Sequence, residues 1–159
     1  MFAAAQEEHR WLRQLVGEWS YQAEATGPGQ GSAKTEGTET VRPLGDLWVL
    51  AEGEGRMPDG TPAKSLMTLG YDPTRGRYVG TWIGSMMTHL WVYDGALDAS
   101  GRVLTLSADG PSMSGSSRMA KYQDIITVES ADHRILTARM LGEDGAWTPF
   151  TTAHYRRKR

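Results

Sequence analysis

The sequence predicts an all-β chain: a single closed antiparallel up-and-down barrel of about ten strands with a short N-terminal helix. Three observations carry this reading. Short β-rich runs alternate with turn signals along nearly the whole chain. Helical periodicity is confined to the first residues. The turns are short, so runs adjacent in sequence must pair antiparallel.

The helix comes first. Between Gln6 and Val16, the residues Trp11, Leu12, Leu15 and Val16 form one apolar stripe, the spacing of a short amphipathic helix. Gly17 is placed to stop it. His9, on this helix, is expected to face solvent. Strands are then expected at about 18–26, 34–43, 46–57, 63–72, 76–84, 88–98, 102–109, 118–129, 132–142 and 147–157. Asp59-Gly60, Ser100-Gly101 and Asp144-Gly145 each set a turn former before a residue that tolerates positive φ. Asp72-Pro73-Thr74-Arg75-Gly76 has the form of a type I turn closed by a glycine bulge. Strands joined this way make a meander, and closing it removes both sticky edges. Thr26 to Ser32 and Gly110 to Ser117 read as surface loops, either of which could flank a barrel mouth. One domain spans residues 1–159, with no repeat and no linker.

Composition narrows the function. At 159 residues the chain can bury a core without staples. Seventeen Lys and Arg against 19 Asp and Glu give a net charge of −2, so nothing draws it toward nucleic acid or an anionic membrane. The tail Arg156-Arg157-Lys158-Arg159 reads as a solvated end. The sequence has no cysteine, which rules out disulfides and thiolate chemistry and fits a reducing compartment. The N-terminus turns acidic at Glu7-Glu8 and lacks the pattern of a secretory signal. No stretch approaches the ~18 apolar residues of a membrane helix. A cytoplasmic location is expected.

The segment Leu12-Arg13-Gln14-Leu15-Val16-Gly17-Glu18-Trp19, a helix running into Gly-x-Trp, resembles the opening of lipocalins and related calycins. The resemblance implies that Trp19 closes the barrel floor and that a basic residue of the last strand, Arg156 or Arg157, packs across it. Glu39-Thr40-Val41-Arg42-Pro43-Leu44, Leu47-Trp48-Val49-Leu50, Met67-Thr68-Leu69-Gly70-Tyr71-Asp72, Tyr78-Val79-Gly80-Thr81-Trp82-Ile83 and Trp91-Val92-Tyr93-Asp94-Gly95 together resemble a bacterial family of unknown function. That likeness covers nearly the whole chain and brings no site residues. The chain is also similar to nitrobindin-type haem barrels, which have ten strands and an axial histidine near the C-terminus. His154 stands at the corresponding place. The stretch Ser20-Tyr21-Gln22-Ala23-Glu24 departs from the glycine-rich continuation of those proteins.

Alternation sorts the candidate site residues onto faces. Trp48, Leu50, Glu52 and Glu54 share one; Tyr78, Gly80, Trp82 and Gly84 another; His89, Trp91 and Tyr93 a third; Phe150, Thr152, His154 and Arg156 a fourth. Gly80 and Gly84 flank Trp82, marking either a barrel corner or room for a ligand. The eight methionines include Met67, Met86, Met87, Met119 and Met140, and methionine suits adaptable binding surfaces. The leading expectation is a lumen for a small hydrophobic or aromatic molecule, lined by Trp48, Glu52, Met67, Trp82, His89, Trp91, Tyr93 and His154, with no resident cofactor. A second is acid–base catalysis by His89 oriented by a carboxylate such as Glu52 or Asp124. A third is haem held by His154. A fourth is self-association through Trp147 or an apolar outer face. Metal-ligand spacings, a Gly-x-Ser-x-Gly elbow and phosphate-binding loops are all lacking.

Overall fold

The computed structural model of the chain describes residues 2–25, 33–113 and 117–158. Helix α1 (Glu7–Leu12) tightens into a 3-10 turn (Arg13–Leu15) and leads into ten strands. These are β1 (Gly17–Ala25), β2 (Lys34–Leu44), β3 (Trp48–Arg56), β4 (Pro62–Asp72), β5 (Arg77–Gly84), β6 (Trp91–Leu97), β7 (Val103–Pro111), β8 (Met119–Ser130), β9 (His133–Leu141) and β10 (Trp147–Arg157). Each strand pairs antiparallel with its sequence neighbours, and β1 closes the barrel on β10. The expected loops at Thr26–Ser32 and around Ser114–Ser116 lie outside the described residues.

The turns follow their chemistry. Gly60, Gly76, Gly101 and Gly145 all take positive φ, between +64° and +88°. A nearby carboxylate secures each turn: Asp59 Oδ1 accepts from Thr61 N–H at 2.9 Å, and Asp144 Oδ1 from Ala146 N–H at 3.0 Å. Two expectations are corrected. The strand expected from residue 88 begins at Trp91, because the β5–β6 ladder ends where Trp82 faces Trp91. His89 therefore lies in the connection. His9 is buried, at 4% exposure, rather than solvent-facing. Its Nδ1 accepts from Gln6 N–H at 2.9 Å, so Nε2 carries the proton and donates to the Tyr71 carbonyl at 3.0 Å. The imidazole thus caps the helix and ties it to β4.

The helix seals one end of the barrel. Trp11 Nε1 donates to the Gly101 carbonyl at 2.7 Å, and Arg13 pairs with Asp46 at 2.6 Å, so the helix is anchored to two turns at this end. Beneath it sits Trp19, 1% exposed, whose Nε1 donates to the Leu15 carbonyl at 2.9 Å. The Arg157 guanidinium lies 4.3 Å and that of Arg134 4.8 Å from the Trp19 ring. Arg157, not Arg156, is the basic residue of the last strand that crosses the floor: opposite Trp19, it points inward while Arg156 points out. It donates to the carbonyls of Val16 (2.6 Å), Gln14 (3.0 Å) and Ala131 (2.9 Å). Gly17 makes this possible. Its φ is +140°, and a Cβ there would stand 2.2 Å from Arg157 Nη1. Around Trp19 the inward residues Val41, Val49, Leu69, Tyr78, Leu104 and Ile126 are buried.

Removing the plug should be costly. Trp19→Ala is expected to lower the unfolding free energy by about 3–5 kcal/mol, the usual loss for a fully buried tryptophan, measured by chemical denaturation. A loss below about 1 kcal/mol would show that the floor closes without it.

Candidate functional site

Eight strands give a barrel that side chains can just fill, and ten give a wider one. The floor half here is filled by Trp19 and the apolar residues around it. Above that layer, Arg134 ion-pairs with Glu39 and stacks 4.1 Å from the Tyr155 ring centre. Beside them a void of 20 Å³, room for a single water, is bounded by residues including Met67, Ile126, Glu39, Arg134 and Tyr155.

Toward the opposite end the inward positions become small: Ala23, Gly37, Gly53, Gly55, Ala63, Ser65, Gly110, Ala120 and Ala138. The aromatic rings between them lie against the wall. Ring atoms of Trp91 lie 2.1 Å from where a Gly110 Cβ would stand, so the indole occupies the side-chain space of that residue. Tyr21 does the same over Gly37 and Gly55. An edge-to-face series runs His89–Trp91–Tyr122–Phe150 at centroid separations of 4.8, 4.9 and 6.0 Å. Although they face inward, Met67, Trp82, Trp91, Asp124, Ala138 and Met140 are only half-buried. The inward side of the mouth half, termed the cup below, is walled by small, aromatic and methionine residues, several of them not fully buried.

One carboxylate stands inside it. Asp124 Oδ2 accepts from the Tyr93 hydroxyl at 2.5 Å. Removal from water raises the Asp124 carboxyl above its ordinary value, and the Tyr93 hydrogen bond only partly offsets this. The Tyr93 hydroxyl is pushed well up, by burial first and then by the neighbouring Asp124 charge. Among the described residues no cation pairs with Asp124: Arg134 is taken by Glu39, and Arg157 by carbonyls and Asp132. On the outer wall the pattern is the opposite. There Arg77 hydrogen-bonds Asp94 at 2.8 Å and holds its carboxyl below the usual range.

The structure separates the candidate residues into two groups. Met67, Trp82, Trp91 and Tyr93 share the interior. Trp48, 40% exposed, lies on the outer wall across Gly70. Glu52 is also outside, in an ion pair with Arg42. His89 sits at the rim, with Nε2–H donating to the Asp109 carbonyl at 2.9 Å. His89 and Glu52 are thus committed to separate partners, and the expected pair is not formed. His154 points outward from β10 between the inward Ala153 and Tyr155. It meets His133 through an N···N contact of 3.0 Å and borders an open groove of 870 Å³ along the outer wall. Among the described residues no histidine occupies an inward strand position, and His154, the expected haem ligand, faces away from the lumen. Trp147 is half-buried under the Arg139 guanidinium. Gly80 marks close strand approach: a Cβ there would stand 1.9 Å from the Thr68 carbonyl oxygen. Tyr122 and Asp124 were legible as lumen residues, because they alternate with Ile126 along one strand. Tyr21 alternates with Trp19 in the same way, whereas the face that alternation gives Phe150, shared with His154, is broken by the register shift between Pro149 and Thr151.

The chain belongs to the protein family of unknown function DUF1579, whose model matches residues 4–157. No curated protein matches it. It is similar in fold to the S-type phycobiliprotein lyase CPES from Guillardia theta, with 12% identity, a TM-score of 0.66, and 98% of this chain and 99% of that chain covered. Rv2717c from M. tuberculosis shows 14% identity and a TM-score of 0.64 over 98% of this chain and 100% of that chain. EF1p2_mFAP2b, solved bound to DFHBI, shows 16% identity and a TM-score of 0.52 over 96% of this chain and 100% of that chain.

Asp124 should show itself in the pH dependence of stability. Its carboxyl is raised in the folded state, so the unfolded chain releases this proton more readily. The resulting destabilisation is absent below the ordinary carboxylate range of about 4 and grows as pH rises through the folded value. Asp124→Asn still accepts from Tyr93 and carries no charge. It is expected to raise the Tm at neutral pH, with the gain shrinking toward pH 4 in a thermal-unfolding series. A Tm lowered equally at every pH would make the carboxylate a structural group.

Proposed function

We propose that this protein is a small-molecule-binding barrel whose mouth half takes one apolar or aromatic compound. The observation that carries the reading is the half-buried state of inward-facing Met67, Trp82, Trp91 and Met140 among small wall residues. Concave sites lined by aromatic and apolar groups, with a few polar ones, are the usual form of small-ligand pockets. The helix, Gly17-x-Trp19 and Arg157 across the floor support a calycin-like assignment. The similar fold of a protein solved with DFHBI supports the capacity of such a frame for an aromatic guest.

The rim fits this use. Met57, Met86, Met87, Leu90, Met113 and Met119 are all exposed in or beside connections at the mouth end. Flexible thioethers would adapt to a guest entering the cup. Binding of this kind needs no resident cofactor.

Titration with the neutral dye N-phenyl-naphthylamine is expected to give saturable one-to-one binding with quenching of Trp82 and Trp91 emission. Ala138→Phe, which fills the cup, should weaken that affinity at least about tenfold, a loss of about 1.4 kcal/mol, while circular dichroism stays native. Unsaturable binding, or equal affinity in the variant, would count against an interior site.

A further inference from the structure

We infer that the natural ligand of the cup carries a protonated nitrogen, an ammonium or amidinium on an apolar or aromatic body, and that Asp124 receives it. This rests on the binding role proposed above and specifies its ligand class.

The interior charges decide the sign. Glu39 and Arg134 neutralise one another. Arg157 is engaged at the floor with carbonyl oxygens and Asp132. Asp124 is the inward carboxylate left without a cation among the described residues, and Tyr93 occupies only one of its two oxygens. Its flanks leave access. Along β8 it lies between Tyr122 on the mouth side and Ile126 on the floor side, with the small Ala138 directly across on β9. A guest entering from the mouth would reach the second oxygen past Tyr122 and Trp91.

The surroundings favour a cation for a second reason. Trp82 and Trp91, paired across β5 and β6, and Tyr122, edge-to-face with Trp91, bring aromatic rings to the same side of the wall, and such rings attract ammonium and guanidinium groups. An anionic guest would meet the carboxylate with no cation to offset it. A carboxylate enclosed without a counter-charge costs stability, and a bound cation would remove that cost. Tyr93 has a positioning role: its hydroxyl holds Oδ2 and so orients the free oxygen.

The test compares two probes of equal shape, naphthylmethylamine and naphthylmethanol, by displacement of N-phenyl-naphthylamine at neutral pH. The amine is expected to bind wild-type protein at least about tenfold more tightly than the alcohol, the scale of one charge-assisted hydrogen bond. In Asp124→Asn the ratio of the two affinities should fall to about one. In Glu52→Gln, altered only on the outer wall, the wild-type ratio should persist. Equal binding of both probes by the wild type would overturn this inference and leave the binding role standing. A preference that survives in Asp124→Asn would overturn the assignment to Asp124. Failure of the dye and both probes to bind the wild type would remove the binding role, and this inference with it.

Discussion

Trp19 is the point on which the barrel's organisation depends. It is buried at the floor, bonded to the 3-10 turn through its indole N–H, and stacked near guanidiniums supplied by β9 and β10. One side chain therefore joins the first strand, the last two strands and the sealing helix. The guanidinium–indole contacts combine cation–π attraction with burial of long aliphatic stems. Gly17 belongs to the same device, since any side chain there would take the space of the Arg157 guanidinium. Closure of β1 on β10 and closure of the floor are thus one structural event.

That plug splits the interior into two regimes. Toward the floor the space is filled apart from the small void beside Glu39 and Arg134, with Leu104 and Leu106 fully buried. Above that pair the walls carry glycine and alanine, and the Trp91 ring and the hydroxyl end of Tyr21 occupy the side-chain space that Gly110, Gly37 and Gly55 leave. Ten strands enclose more cross-section than such walls can fill. Asp124 marks the boundary between the two regimes. It is the inward carboxyl without a cation partner among the described residues, and burial raises it above its ordinary value.

Much of the frame was legible in the chain because its signals are local. Aspartate–glycine turns and period-two alternation located ten strands close to their observed limits, and Gly-x-Trp located the floor. What failed were properties set by pairing across the barrel. Trp48 and Glu52 read as site residues on aromatic and acidic character alone, yet the register of β3 against β4 turns them outward, where Gly70 and Arg42 receive them. His154 has the right place in sequence and the wrong face, because Ala153 and Tyr155 hold the inward positions. His9 carries no local sign of burial; its role appears only once Tyr71 is brought to it across 62 residues of chain.

The most direct measurement is the anomalous bromine signal from a crystal of the protein grown with bromonaphthalene. The account predicts one bromine peak inside the barrel, on the mouth side of the Glu39–Arg134 pair and against Trp82 or Trp91. A peak confined to the outer groove beside His154 and Arg156, or a cup whose aromatic rings fold inward and fill it, would contradict the account.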